Sequence, residues 1–367
     1  MNKKTKIFGF AAAFATFLFP MHAQESISSI MKAGVADMDK LAEGYLKPAG
    51  IGFSSGLGAN WYNTAATHKL LGFDLTVGAS VAMTPSSDQT FSLDGFKTSD
   101  RLLNGLSPVS GTINTAPTFG GSGDGVLMQL KQNGTVISQF TTPKGYSKYI
   151  PTPNLQLTLG LPLGNDLSVR FTPAIKMDGM STQLWGVALK HDVKQWIPLV
   201  KSLPFDASVL VGYTNFSMDY SFKTAITPDV LKQGGTFGVS DGTGIDWIKA
   251  GQGFEIKANA LTANLIVSKK LAFFTPYVGV GFTKANFDMS FTGKYPVLGN
   301  PITTPGTDFG KLSVTAVNDP INLSYSEFMP GATVGFRMKV LFVLALHAQY
   351  TVQKYPTASV GFGINIR

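Results

Sequence analysis

Apolar and polar positions alternate along much of the chain. In residues 357–367, Ala358, Val360, Phe362, Ile364 and Ile366 take turns with Thr357, Ser359, Gly361, Gly363 and Asn365. A period of two places one set on each face of a strand, and the apolar set carries no charge. Residues 71–83 repeat the pattern, with Phe73, Leu75, Val77, Ala79, Val81 and Met83 opposite Asp74, Thr76, Gly78 and Ser80. A carboxylate on the second face requires water there, so the first face is the one suited to lipid. The predicted fold class is all-β: a transmembrane antiparallel up-and-down β-barrel of about 12–14 strands, preceded by a short amphipathic helix.

The strands that support this reading span residues 71–83, 126–132, 135–142, 154–161, 167–177, 182–191, 205–220, 253–268, 273–291, 322–339, 341–354 and 357–367. Asn133-Gly134 joins the second to the third and is a strong hairpin signal. Residues 84–124, 222–252 and 292–319 read as long loops. Counted in order, those three loops fall at one end of the array and both termini at the other. A barrel in an outer membrane segregates its connections this way, whereas a secreted β-sandwich has no reason to. Residues 194–201 predict a short amphipathic turn at the membrane border, and Pro330 predicts a bend in the strand that contains it.

Ahead of the strands, residues 1–23 read as a secretory signal peptide. Lys3, Lys4 and Lys6 precede the apolar run 7–19, and Ala23 offers a small residue before Gln24. In residues 26–46, Ile27, Ile30, Met31, Val35, Met38, Leu41 and Tyr45 recur at helical spacing, with Pro48 and Gly50 as stops. The Gly-rich stretch 50–58 reads as a flexible connector. Residues 24–58 therefore form an N-terminal helix and connector, and residues 59–367 the barrel. The apolar stripe has three places to be buried: in the lumen as a plug, against the periplasmic rim, or on a partner.

Composition narrows the function classes. Charged residues are 14% of the chain, against roughly 25% in soluble domains, which suits strands facing lipid. The net charge of +8 forms no basic stripe with interleaved aromatics, so nucleic acid is not an expected partner. With no cysteine, disulfides and thiolate metal sites are excluded. His68, His191 and His347 lie far apart in sequence, so neither a histidine metal site nor another cofactor is expected. Residues 241–246 read as a solvated turn in preference to a calcium loop, because the full ligand pattern is missing.

The stretches Trp61-Tyr62-Asn63-Thr64-Ala65, 68–77 and 190–198 resemble an uncharacterised family of outer-membrane proteins from Bacteroidetes-type bacteria. The order of a helical segment followed by a barrel also resembles, in architecture alone, the long-chain fatty-acid channels, where the N-terminal segment implies a lumenal hatch.

The side chains on the inward set are Asp74, Arg170, Asn264, Arg337, Lys339, His347, Gln349 and Asn365. They line either a solute pathway or a closed lumen in which opposite charges neutralise one another. His347, midway along a strand on the side of Gln349, suits a hydrogen bond to water or a plug better than catalysis. The expected function is passage of small or hydrophobic solutes through the outer membrane. The alternatives are a structural or adhesive barrel with working external loops, and an outer-membrane lipid hydrolase. Expected partners are outer-membrane lipids, the barrel-assembly machinery and a small hydrophobic solute. The mature chain is expected to need detergent to stay monodisperse in size-exclusion chromatography; a monodisperse profile in buffer alone would remove the lipid-facing reading.

Overall fold

The structure, a computed structural model, describes residues 27, 29–34, 37–94, 96, 106–110, 113–132, 135–177, 179–232, 238–341 and 343–366. Residues 1–23, Val35 and the Asn133-Gly134 turn lie outside the described residues. Ten strands form a closed barrel: β1 (Phe73–Met83), β2 (Tyr149–Leu161), β3 (Asn165–Met177), β4 (Met180–Asp192), β5 (Asp206–Ser221), β6 (Gly253–Ser268), β7 (Phe274–Thr292), β8 (Asn322–Val340), β9 (Leu344–Val352) and β10 (Thr357–Ile366). Each pairs antiparallel with the next, and β10 closes on β1 in the register Phe73↔Ile366 to Ala82↔Thr357. Closure leaves no free edge at that junction, as a spanning sheet requires in hydrocarbon.

The alternation read from the sequence is the alternation of the wall. Val209 and Val211 on β5, Leu265 and Val267 on β6, Val278 and Val280 on β7, and Val360, Phe362 and Ile364 on β10 are exposed on the outside. Their neighbours Ser208, Ile266, Tyr277 and Ser359 are buried inside. Aromatic rings rim the loop-side border of this belt. Trp185 and Tyr213 lie 5.6 Å apart, and Phe282 and Phe328 5.1 Å apart, with Phe171 exposed beside the first pair. Above that border the outward positions turn polar, with Asn215, Asn259, Asn286 and Lys257. An apolar band edged by aromatics is the exterior of a membrane barrel.

The barrel has fewer strands than the alternation predicts. Leu127–Gln132 pairs with Thr135–Thr141 on one side and with Leu106–Pro108 on the other, in a separate sheet at the loop end. Their apolar side chains Met128, Leu130 and Phe140 are buried in a protein core, not presented to lipid. Alternation marks a strand with two unlike faces without saying what covers the apolar one. Because these two strands leave the count together, every later strand keeps its direction. The long connections 84–148, 222–252 and 293–321 still share one end, together with the turns at 178–179 and 353–356, and every connection at the other end is short by comparison. Pro330 does not interrupt β8, which pairs continuously with β7 from Asn322 to Met338.

The N-terminal segment differs more. Residues 27 and 29–31 are helical, and after a turn the helix α1 runs Met38–Gly58. Pro48 lies inside it, and the Gly-rich stretch 50–58 is helix, not connector. Ile27, Ile30, Met31, Met38, Leu41 and Tyr45 are all buried. The helix begins among the loops, where Phe119 N–H donates to Tyr45 O (2.9 Å) and Tyr45 OH to Lys144 O (3.0 Å). It then descends the lumen, so the first described residues lie at the loop end, while Ile366 lies at the short-turn end, beside Phe73. Glycines make the helix thin enough to fit. A Cβ on Gly50 would sit 2.4 Å from the Phe287 ring, and one on Gly56 2.3 Å from Thr152 Oγ1 and 2.9 Å from its Cβ. Glycine weakens an isolated helix, but here close packing against the wall holds it.

Gly56→Leu should therefore force α1 off β2 and destabilise the folded barrel by about 2 kcal/mol, measured by urea unfolding in detergent. Wild-type stability would contradict the close packing of α1 on the wall.

Candidate functional site

The lumen has two compartments with different chemistry. Toward the loops its wall is apolar. Phe216 and Met218 of β5, Ile256 of β6, and Phe287 and Met289 of β7 face α1, and the Phe53 and Phe216 rings meet edge-on at 5.0 Å. Between α1 and this wall lies a cavity of about 710 Å³, lined also by Leu46, Ala49 and Ile150. Toward the short turns the wall is polar and the bore nearly full. Among the described residues, two spaces there hold about 20 Å³ each.

The border between compartments is where α1 ends. Arg170, 1% exposed, donates from Nη1 to Leu57 O (2.9 Å), from Nη2 to Ala59 O (2.8 Å) and from Nε to Gln156 Oε1 (3.0 Å). Its guanidinium carbon lies 3.7 Å from the Trp61 ring centroid. Thr214 adds a hydroxyl to Leu57 O (3.0 Å). A helix C-terminus presents unpaired carbonyls and partial negative charge, which a planar cation with several donors satisfies.

Below this point residues 59–68 run down the bore outside any helix or strand and bond to the wall repeatedly. His347 Nε2 donates to Asn60 Oδ1 (2.8 Å), and Asn63 Nδ2 to Asp74 Oδ2 (3.2 Å). Asp74 also accepts from Thr76 (2.6 Å) and Asn365 (2.9 Å). Gln349 bonds the Tyr277 hydroxyl at 3.1 Å, and the Tyr277 and Tyr62 rings meet edge-on. Ala65 N–H donates to Ser268 Oγ (3.0 Å). At the short-turn end Asp166, with no exposed surface, accepts from His68 N–H (2.8 Å), from His68 Nδ1 (3.0 Å) and from Lys190 Nζ (2.9 Å). Lys190 also donates to Ala66 O (3.0 Å).

The eight inward candidates all belong to this lower wall. Asp74, Arg170, Arg337, His347, Gln349 and Asn365 are buried; Asn264, bonded to Thr262 (3.0 Å), and Lys339 are half-buried. Arg170 turns to helix carbonyls and not to Asp74, so the charges do not simply cancel in pairs. Arg337 Nε and Nη2 have no acceptor among the described residues. Sequence reasoning missed Asp166 and Lys190, the buried ion pair that anchors the plug. Asp166 shares the parity of Ser168 and Arg170, a signal obscured when residues 162–166 are read as a turn. It also missed Trp61 and Gln156, whose roles exist only once α1 ends beside them.

Outside the membrane, two acids are settled by local bonds. In the 241–246 turn, modest burial raises the Asp241 carboxyl, but donation from Thr243 and Trp247 outweighs it and leaves the group below its ordinary range. At the β9–β10 turn, burial first and then the Asp88 carboxylate (2.6 Å) hold the Tyr355 phenol above its ordinary range. Among the described residues no trio of histidine or acidic side chains is placed to hold a metal ion. The site offers an apolar chamber above, and a closure made of hydrogen bonds and the Asp166–Lys190 ion pair below.

Removing Lys190 leaves Asp166 buried with one partner fewer. Lys190→Met should destabilise the fold by about 3–5 kcal/mol and speed amide exchange in residues 59–68, read by hydrogen–deuterium exchange. Unchanged exchange there would show that the ion pair does not hold the plug.

No curated protein matches this chain. Among solved structures it is similar to the attachment invasion locus protein Ail of Yersinia pestis (8% identity, 81% of this chain and 99% of that one, TM-score 0.25). It is also similar to the translocator domain of the autotransporter NalP of Neisseria meningitidis (7%, 82% and 90%, TM-score 0.31). A third is the toluene transporter TbuX of Ralstonia pickettii (6%, 82% and 90%, TM-score 0.22). With TM-scores this low, the fold rests on the strand pairing of this chain itself. Over residues 1–366 the chain matches the model of a family of unknown function, DUF6588, and it belongs to that family.

Proposed function

We propose that this protein is an outer-membrane barrel that admits a small apolar solute from its loop side, with its own N-terminal segment as the closure. The observation that carries the reading is the apolar chamber of about 710 Å³ beside α1, walled by Phe53, Phe216, Ile256 and Phe287. A chamber of that size and lining suits a compact hydrophobic molecule. The charge-poor outer belt and the leader-like residues 1–23 support export to the outer membrane, with outer-membrane lipids and the assembly machinery as partners. A second reading, a structural or adhesive barrel, draws on the nearly filled lower lumen, where two spaces of about 20 Å³ each lie among the described residues.

Titrating the detergent-solubilised mature chain with a naphthylamine dye separates the two. Saturable enhancement of fluorescence is expected, and Ala49→Phe, which fills the chamber from α1, should weaken it roughly tenfold. Absence of saturable binding to the unaltered chain would overturn the solute reading and leave the structural one.

A further inference from the structure

The two ends of the apolar belt differ. At the loop end the outward positions turn polar at Asn215, Asn259 and Asn286. At the other end they stay apolar to the last residue on several strands: Phe73 on β1, Val267 on β6, Phe274 on β7, Val340 on β8 and Ile366 on β10. On β7 the belt runs from Phe282, at the loop-side aromatic border, to Phe274, whose ring stacks on Phe336 at 5.5 Å. Those eight steps of about 3.3 Å, tilted by about 40°, give a height of about 20 Å. A membrane barrel presents an apolar band about 25 Å tall, so the wall alone falls short by about 5 Å.

The connections at that end carry the missing depth. Leu71 before β1, Leu163 between β2 and β3, and Leu341 between β8 and β9 are 82%, 75% and 72% exposed. All three hold positive φ, at 64°, 61° and 54°, as does Ala272 between β6 and β7 at 52°. Leucine suits this region poorly, whereas glycine and asparagine enter it at little cost. A side chain that is both strained and bare to water returns nothing to the fold, so the outlier points to something outside it. Trp196, Ile197 and Phe273 continue the ring of exposed apolar groups through the other two turns.

Basic side chains interleave with these apolar ones. Lys69, Lys194, Lys201, Lys269 and Lys270 lie in the same connections, against Asp192 and Asp206. None of the five lysines forms an ion pair among the described residues. Lys194 Nζ instead lies over the Phe205 ring, 5.5 Å from its centroid. An apolar ring continuous with the lipid-facing belt and fringed by uncompensated cations matches acyl chains topped by phosphates. We propose that the short-turn end is a seat for anionic phospholipid: its turn leucines enter the acyl region of that leaflet and its lysines bind headgroup phosphate. The seat rests on the lipid-facing reading of the belt and is independent of any solute. It sets the depth of the barrel, so that the polar rows of β5 to β7 and the long loops stand clear of hydrocarbon.

The chain has no cysteine, so a single introduced cysteine reports one place. Leu71→Cys, Leu163→Cys and Leu341→Cys in the turns, and Val280→Cys in the belt, are each labelled with bimane on the folded mature chain and reconstituted in phosphatidylcholine vesicles. Nitroxide near the headgroup end of an acyl chain should quench all three turn labels, and aqueous iodide on both sides of the membrane should leave them nearly unquenched. Nitroxide-labelled phosphatidylglycerol should quench the Leu163→Cys label at a roughly fivefold lower mole fraction than nitroxide-labelled phosphatidylcholine. Replacing the five lysines with glutamine should remove that difference and leave quenching of the Val280→Cys label unchanged. Turn labels quenched by iodide and not by nitroxide would stand in water and overturn the seat, as would equal quenching by the two headgroups. Turn labels shielded from both quenchers would be covered by a second copy of the chain, which overturns it too. If the Val280→Cys label also escapes nitroxide, the lipid-facing reading fails first and the seat with it.

Discussion

The Arg170 guanidinium on the last carbonyls of α1 is the contact on which the interior is organised. Held at 2.8 and 2.9 Å from Ala59 O and Leu57 O and stacked on Trp61, it fixes where the helix stops. Above it the lumen can be apolar because a helix satisfies its own backbone. Below it the chain lies outside any helix or strand, its amides and carbonyls need partners, and the wall supplies hydroxyls, amides and charges. The change of chemistry along the bore follows from the change of backbone conformation along the plug.

That arrangement explains an otherwise costly interior. Arg170, Asp166 and Lys190 are nearly inaccessible to water, and an isolated charge in such a place would be strongly unfavourable. Each is instead paired or multiply hydrogen-bonded, and each touches residues 57–68. The charges therefore bind the N-terminal segment, and through it the two ends of the lumen.

By itself the sequence determined the barrel, the direction of its strands, the end that carries the long loops, and the inward set from Asp74 to Asn365. All of these follow from a period of two, which is local and survives any packing. It did not determine which alternating strands join the wall. Met128, Leu130 and Phe140 read as lipid-facing until a second apolar layer covers them. Nor did it determine that residues 50–58 are helical, because glycine is read as freedom unless a neighbour such as Phe287 demands thinness. Asp166 and Lys190, distant in sequence, became a pair only when the strands placed them side by side in register (Asp166↔Lys190). Tertiary structure decided what each face touches, since that depends on the partner surface and not on the spacing of residues along one strand.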